Sequence, residues 1–313
     1  MIPQRPRPLT QRLICGDCLE VMRQMPDDSV DLVFTSPPYS NCRTYGIDFD
    51  LTGQEYVNWL IERTRECVRV CKGLVGIVIQ GKTRKYKWDA TPALFMADLH
   101  QAGFNLRRPV IFNRSGIPGS GGPDWLRCTY EYVVCITKPG RMPWSDNIAC
   151  GNQPLYGPGG DPTHRQKNGE RIRKCKPSFK IKAGASDIGF NGQSGTSNSD
   201  GTITRKNGSI YKPPEIANPG DVVHCPPAQL GSKLAYENEA PFPEKLAEFF
   251  IKSFCPPGGV VLDPYLGSGT TVAVAKRLGR EYVGVDIRQN QIELTERRLA
   301  ETKYERENHD QTI

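Results

Sequence analysis

No stretch of 18 consecutive apolar residues occurs in the chain, so the sequence offers no membrane-spanning helix. The opening MIPQRPRPLTQR is basic and proline-rich but has none of the apolar core of a secretory signal, and a cytoplasmic protein is expected. There is no compact cysteine frame either. The 11 cysteines are odd in number and scattered through apolar segments, which argues against a disulfide scaffold. Cys15 with Cys18, and Cys67 with Cys71, have metal-ligand spacing, yet neither pair has a second half at ribbon spacing. Cys67 and Cys71 fall in an amphipathic helical pattern beside Val68 and Val70. All four therefore read as buried thiols, and no metal is expected.

What is present is a globular composition, 37% apolar and 24% charged, in a chain long enough for one large α/β domain with an insertion or for two domains. The net charge of +7 is modest, but its distribution is uneven: residues 141–235 hold 13 Lys and Arg against 7 Asp and Glu, nearly the whole excess. Such a segment suits a polyanion or is simply a solvated face.

Apolar runs rich in Val and Ile alternate with helical patterns. Strands are expected at 12–16, 30–35, 74–81, 107–113, 130–137, 259–263 and 281–286, and helices at 19–25, 53–71, 91–103, 242–254, 270–279 and 289–303. This predicts an α/β fold with a seven-stranded sheet. The rhythm stops between Pro139 and about Leu234, where residues 183–210 have the Gly, Ser, Asn and Thr content of a loop. The expected organisation is one half-domain at 1–139, a basic insertion at 140–235, a second half-domain at 236–303 and a polar tail at 304–313.

Two segments carry chemistry. VVLDPYLGSGTT is a strand, a glycine turn and a helix start, with Asp263 at the strand end, Gly267 and Gly269 in the turn, and Thr270 and Thr271 opening the helix. Ligands of open α/β sheets bind at this end of the strands. The following strand ends in Asp286, an acid placed to accept hydrogen bonds from a ribose diol. No lysine follows the glycines, so phosphate binding is disfavoured, and an acid at the strand end suits a cationic amine. The expected ligand is an amino-acid-bearing nucleoside.

The second segment, VDLVFTSPPY, also ends a strand in polar groups. Its prolines fix φ and remove two N–H donors, leaving a stiff elbow rich in acceptors. Ser36 Oγ and the Pro37 carbonyl can accept both protons of an exocyclic amine, and the Tyr39 ring can stack on a planar base. A plain proline-rich strand terminator is the alternative.

Together TSPPY and LDPYLGSGTT resemble the S-adenosylmethionine-dependent DNA amino-methyltransferases, which modify N4 of cytosine or N6 of adenine. Their beta class carries the catalytic tetrapeptide first and the cofactor turn last, as here. The resemblance implies a Rossmann-like, mostly parallel, circularly permuted sheet and a target-recognition region in the insertion. It assigns catalysis to Ser36, Pro37, Pro38 and Tyr39. It assigns S-adenosyl-L-methionine to Asp17, Thr35, Pro241, Phe242, Pro243, Asp263, Pro264, Tyr265, Gly267, Ser268, Gly269, Thr270, Thr271 and Asp286. The implied partner is double-stranded DNA with the target base flipped, in a prokaryotic or phage-encoded protein whose relatives are often dimers. Phosphate contacts are expected from Arg165, Lys167, Arg171, Arg173, Lys174, Lys176, Lys180 and Lys182. Direct transfer without a covalent intermediate is implied. Cysteine-based attack at the ring, with Cys225 of HCPPA as the candidate, is disfavoured because that pair lies outside the strand framework. Ser36 in the first tetrapeptide position favours cytosine over adenine within the family. A catalytically silent DNA-binding module would show damage at these positions, and none is seen. Glutamine-amide and RNA methyltransferases generally run the two motifs in the opposite order.

Overall fold

Near-continuous apolar runs make strands buried on both faces, and most of the chain is organised around them. The computed structural model describes residues 11–40, 49–114, 124–152, 164–165, 171–172, 186–187, 195–197, 202–205, 208–211, 216–225, 233–237 and 241–304. The chain divides into two units, residues 1–150 with 220–313, and residues 151–219.

In the first unit, β1 (Arg12–Cys15), β2 (Val30–Thr35), β3 (Cys71–Ile79), β4 (Asn105–Leu106), β5 (Val110–Asn113), β6 (Tyr130–Thr137), β7 (Val222–His224), β8 (Val260–Asp263) and β9 (Glu281–Asp286) form one sheet. Its order is β1-β9-β8-β2-β3-β6-β5-β7, with β4 also on β6. All pairings are parallel except those of β6, which runs against β3, β4 and β5. This is a Rossmann-like, mostly parallel sheet. It has nine strands where the sequence suggests seven, because β4 and β7 are too short to show a periodic pattern. β7 comes from within the segment that reads as insertion, yet Val222 pairs with Ile111 at the sheet edge.

Helices cover both faces. Leu32 and Phe34 of β2 point to the side packed by α4 (Glu244–Phe254), α5 (Thr270–Arg277) and α6 (Gln289–Glu301). Val33 points to the side packed by α1 (Cys18–Arg23), α2 (Gly53–Val70) and α3 (Thr91–Gln101). Phe34 stacks on Phe250 at 4.5 Å and meets the edge of Phe242 at 5.6 Å. Burying one such ring contributes about 1.5–3 kcal/mol.

α2 runs straight into β3, so Cys67 lies in the last turn of the helix while Cys71 opens the strand; they do not share the helical face expected of them. Cys67 donates to the Met22 sulfur at 3.6 Å and Cys71 to the Leu74 carbonyl at 3.4 Å. Burial pushes the Cys71 thiol up to about 12 and the Cys18 thiol up to about 11, which keeps both neutral. Among the described residues no group of three or more His, Cys, Asp or Glu could hold a metal, and no helix is long and apolar enough to cross a membrane.

The second unit contains a four-stranded antiparallel sheet, Ser186–Asp187, Gly195–Ser197, Ile203–Arg205 and Ile210–Tyr211, and a pair of strands, His164–Arg165 with Arg171–Ile172. Its strands of two or three residues explain why this stretch reads as loop.

The turn between β8 and α5 is braced by α6. Arg298, only 2% exposed, donates to the Ser268 carbonyl at 3.0 Å, Thr270 Oγ1 at 3.0 Å and Glu244 Oε1 at 2.7 Å. Arg298→Met leaves the Ser268 carbonyl without this buried donor and leaves Glu244, which is partly exposed, to its 3.8 Å contact with Arg277. A lost buried hydrogen-bond partner costs about 1–3 kcal/mol, so unfolding stability is expected to fall by about that amount in denaturant titrations. A loss below about 1 kcal/mol would show that the turn holds without its clamp.

Candidate active site

Because β1, β9, β8, β2 and β3 are parallel neighbours, their carboxyl ends lie along one edge of the sheet, and every segment expected to carry chemistry emerges there. Cys15 pairs with Asp286, Asp263 with Gly284, and Leu262 with Val33. A cleft of about 1680 Å³ opens at this edge, lined by Asp17, Ser36, Pro37, Pro38, Tyr39, Pro241, Phe242, Pro264, Tyr265, Gly267, Ser268, Thr270 and Asp286.

Of the expected catalytic and cofactor residues, Thr35, Pro243, Asp263, Gly269 and Thr271 are not among those lining the cleft, and Thr35, Asp263 and Thr271 are buried. Thr35 Oγ1 donates to Asp263 Oδ1 at 2.6 Å, joining two strand ends separated by 228 residues of sequence. The Tyr265 N–H donates to the same oxygen at 3.1 Å. Burial is the main influence on Asp263 and pushes its carboxyl up to about 6. The Thr35 and Thr271 hydroxyls and the Tyr265 N–H pull partly the other way, and Asp286 adds a smaller upward push. Thr271 also donates to the Phe34 carbonyl at 3.3 Å, bolting the start of α5 to β2.

The glycines have distinct reasons. At Gly269 the backbone is left-handed, and a Cβ there would lie 2.4 Å from Thr295 Cγ2, so α6 itself demands glycine. Gly267 gives its N–H to Asp286 Oδ2 at 2.9 Å, and its carbonyl accepts from Thr295 Oγ1 at 3.1 Å. Asp286 takes a second N–H, from Arg288, at 2.9 Å on Oδ1. These two N–H groups orient a carboxylate that faces the cleft with lone pairs to spare for a diol. Asp17 caps α1 through the Leu19 N–H at 2.7 Å and lies 3.5 Å from the Arg63 guanidinium. Pro243 precedes the first turn of α4 and directs Pro241 and Phe242 into the cleft.

In the tetrapeptide, Ser36 Oγ donates to the Tyr39 hydroxyl at 3.2 Å, and Tyr39 donates to Glu131 Oε2 at 2.6 Å. Glu131, 4% exposed, is also ion-paired with Arg114. Each proton in this relay runs toward the buried carboxylate. With its own proton turned toward Tyr39, Ser36 Oγ keeps lone pairs with which to accept from a further partner.

The sequence reading misses Glu131 and Arg114, although an acid inside the apolar strand YEYVVCIT is a visible irregularity. It also misses Trp59 and Arg63, stacked at 4.4 Å on the cleft wall, whose i, i+4 spacing on α2 gives a weak signal. Thr295 and Arg298 leave no local trace. Cys225 is buried and its thiol is pushed up to about 11 by desolvation. Of the eight expected phosphate contacts, Arg165 and Arg171 are backbone partners in an antiparallel pair; Lys167, Arg173, Lys174, Lys176, Lys180 and Lys182 lie outside the described residues.

Residues 30–297 match the family model of the N6/N4 DNA methylases. The chain belongs to that family. It is similar to the orphan methyltransferase M.BamHII of Bacillus amyloliquefaciens, 28% identical over 87% of this chain and 89% of that protein. It is also similar to the DNA adenine methyltransferase YhdJ of Escherichia coli (strain K12), 26% identical over 92% of this chain and 82% of that one. Among solved structures, the cytosine-N4-specific PvuII DNA methyltransferase aligns with a TM-score of 0.60 at 18% identity, covering 91% of this chain and 85% of its own. That degree of likeness carries the fold alone. Of the proteins named, YhdJ is an adenine methyltransferase and the PvuII enzyme is cytosine-N4-specific.

Two expectations follow. The folded state holds the Asp263 proton more tightly than the unfolded chain, so the stability this group contributes is full below about pH 3.8 and is lost as pH rises through about 6. The stability of wild type relative to Asp263→Asn is therefore expected to fall by on the order of 3 kcal/mol between pH 4 and pH 7.5, in thermal or denaturant unfolding. A difference that does not change with pH would refute this. Glu131→Gln, which keeps the shape but removes the charge facing Arg114, is expected to lower kcat for methyl transfer by about tenfold or more while KM for the methyl donor stays within about twofold. An unchanged kcat would leave the relay without a role.

Proposed function

We propose that this DNA methylase transfers the methyl group of S-adenosyl-L-methionine to N4 of a cytosine flipped out of double-stranded DNA. What supports the choice of cytosine is the identity of Ser36 in the first tetrapeptide position, and what supports an exocyclic amine as the target is the place of Ser36 Oγ on the cleft, 3.2 Å from the Tyr39 hydroxyl. When bound, S-adenosyl-L-methionine supplies an electrophilic methyl group on a positively charged sulfur. The donor set suits it: Asp286 would hold its ribose hydroxyls, Asp17 and the Pro241–Phe242 backbone its amino-acid end, and Tyr265 and Phe242 its flat and apolar surfaces. The buried Asp263 carboxylate adds negative potential beneath a site for a cation.

An aromatic amine is a weak nucleophile because its lone pair is delocalised into the ring. Ser36 Oγ and the Pro37 carbonyl would accept hydrogen bonds from its two N–H groups and so favour a pyramidal nitrogen, while the Tyr39 ring would stack on the base; the methylated nitrogen keeps one of those N–H groups and loses the other proton. The prolines hold these acceptors without a competing N–H, so the contribution is mainly positioning and electrostatics. The insertion, with eight basic residues between 165 and 182, would supply phosphate contacts and salt dependence rather than choice of base. Adenine N6 is the second reading: it needs the same two acceptors and is the specificity of one relative, YhdJ.

Digestion of plasmid DNA methylated by the protein to nucleosides, followed by mass spectrometry, is expected to yield N4-methylcytosine; N6-methyladenine alone would overturn the choice of base. Ser36→Ala is expected to reduce the transfer rate by about 10²-fold, on the scale of losing one preorganised polar contact to the reacting group. Full activity in that variant would remove the tetrapeptide from catalysis.

A further inference from the structure

Between β3 and α3 the chain makes a small hairpin, Thr83–Arg84 paired with Lys87–Trp88, whose two-residue turn is Lys85–Tyr86. Both turn residues are left-handed, with φ of 47° for Lys85 and 64° for Tyr86. That backbone normally selects Asn-Gly, because side chains with a Cβ are strained there. A turn needed only for closure would not carry a lysine and a tyrosine. The strain presents the Tyr86 ring to solvent at 88% exposure.

The hairpin is tied at its base to the catalytic segment. The Asp89 N–H donates to the Lys82 carbonyl at 2.7 Å, and a Cβ on Gly81 would lie 1.8 Å from the Asp89 carbonyl oxygen, so the two strands meet as closely as glycine allows. The Asp89 carboxylate then accepts from Ser40 Oγ at 3.2 Å and from the Thr91 N–H at 3.1 Å. Ser40 directly follows Tyr39, so one carboxylate joins the hairpin, the start of α3 and the catalytic elbow. Lys82, Lys85, Tyr86 and Trp88 line the same cleft as the tetrapeptide, and Trp125 and Leu126, 77% and 80% exposed, line it as well.

We propose that this hairpin enters the DNA duplex at the target pair and that Tyr86 occupies the space in the base stack vacated by the base that moves into the cleft. The inference rests on the reading of the cleft as the seat of an extruded base. Lysines at 82, 85 and 87 face the charge of the flanking phosphates, and the exposed ring supplies the flat apolar surface that a broken stack requires. A hairpin made only for phosphates would need the lysines and not the strained aromatic tip.

The test uses the full-length protein and two duplex oligonucleotides carrying the site it methylates in plasmid DNA, one fully paired and one with the target base mispaired. Tyr86→Gly suits the turn better than tyrosine does, so its thermal midpoint is expected to be unchanged or raised. Its kcat/KM is expected to fall at least about tenfold on the paired duplex and to recover to within about twofold of wild type on the mispaired one, where opening the pair costs less. Tyr86→Trp is expected to retain activity on both. An equal loss on both duplexes, or no loss on the paired one, overturns the proposal. The same digests identify the modified base, so N6-methyladenine would end the cytosine reading and leave the paired-to-mispaired ratio to judge the hairpin.

Discussion

The hydrogen bond from Thr35 to Asp263 is the joint on which the site is built. It exists because β2 and β8 are parallel neighbours in the middle of the sheet, with Leu262 beside Val33. Parallel pairing brings like ends together, so the elbow after β2 and the glycine turn after β8 leave the sheet side by side. The Thr271 bond to the Phe34 carbonyl repeats the connection one layer away. Any shift of this register would part Ser36 and Pro37 from the glycine turn, since one residue of slip turns every side chain to the other face.

Around this joint the polar groups are ordered by elements that carry no chemistry themselves. α6 fills the space over Gly269 with Thr295 and clamps Ser268 and Thr270 with Arg298. β6, the one antiparallel strand of the main sheet among the described residues, delivers Glu131 to the tyrosine of the tetrapeptide. Asp89 holds the segment after that tyrosine. Each support is a buried or half-buried charge with its partners in place. Such groups add little net stability but allow only one geometry, because a misplaced buried charge is costly.

Electrostatics follow the same plan. Asp263 is isolated from water and held up near 6, while Asp286, facing the cleft, receives two backbone N–H groups. One carboxylate is enclosed among hydroxyl and backbone donors, and the other lines the cleft. A cation bound above the floor would relieve the cost of ionising Asp263, coupling ligand charge to the stability of the joint itself.

The sequence by itself determined the central strands and the six α-helices of the described residues, because their apolar runs and helical periods are long enough to read. It also determined the sharp turns after β2 and β8, because prolines and glycines are needed locally wherever a chain turns sharply. The short strands β4 and β7 and those of the 151–219 unit were beyond it, since two or three residues carry no period. So were the roles of individual polar residues. Gly269 looks like a ligand-facing glycine and is required by Thr295; Asp263 looks like a ligand-facing acid and is buried beside Thr35; Glu131 looks like a stray charge and ends the chain of hydrogen bonds from Ser36 through Tyr39. Only the tertiary structure decided these, because a side chain's partners are set by which strand ends and helices the sheet order brings together across hundreds of residues, and no local pattern records that.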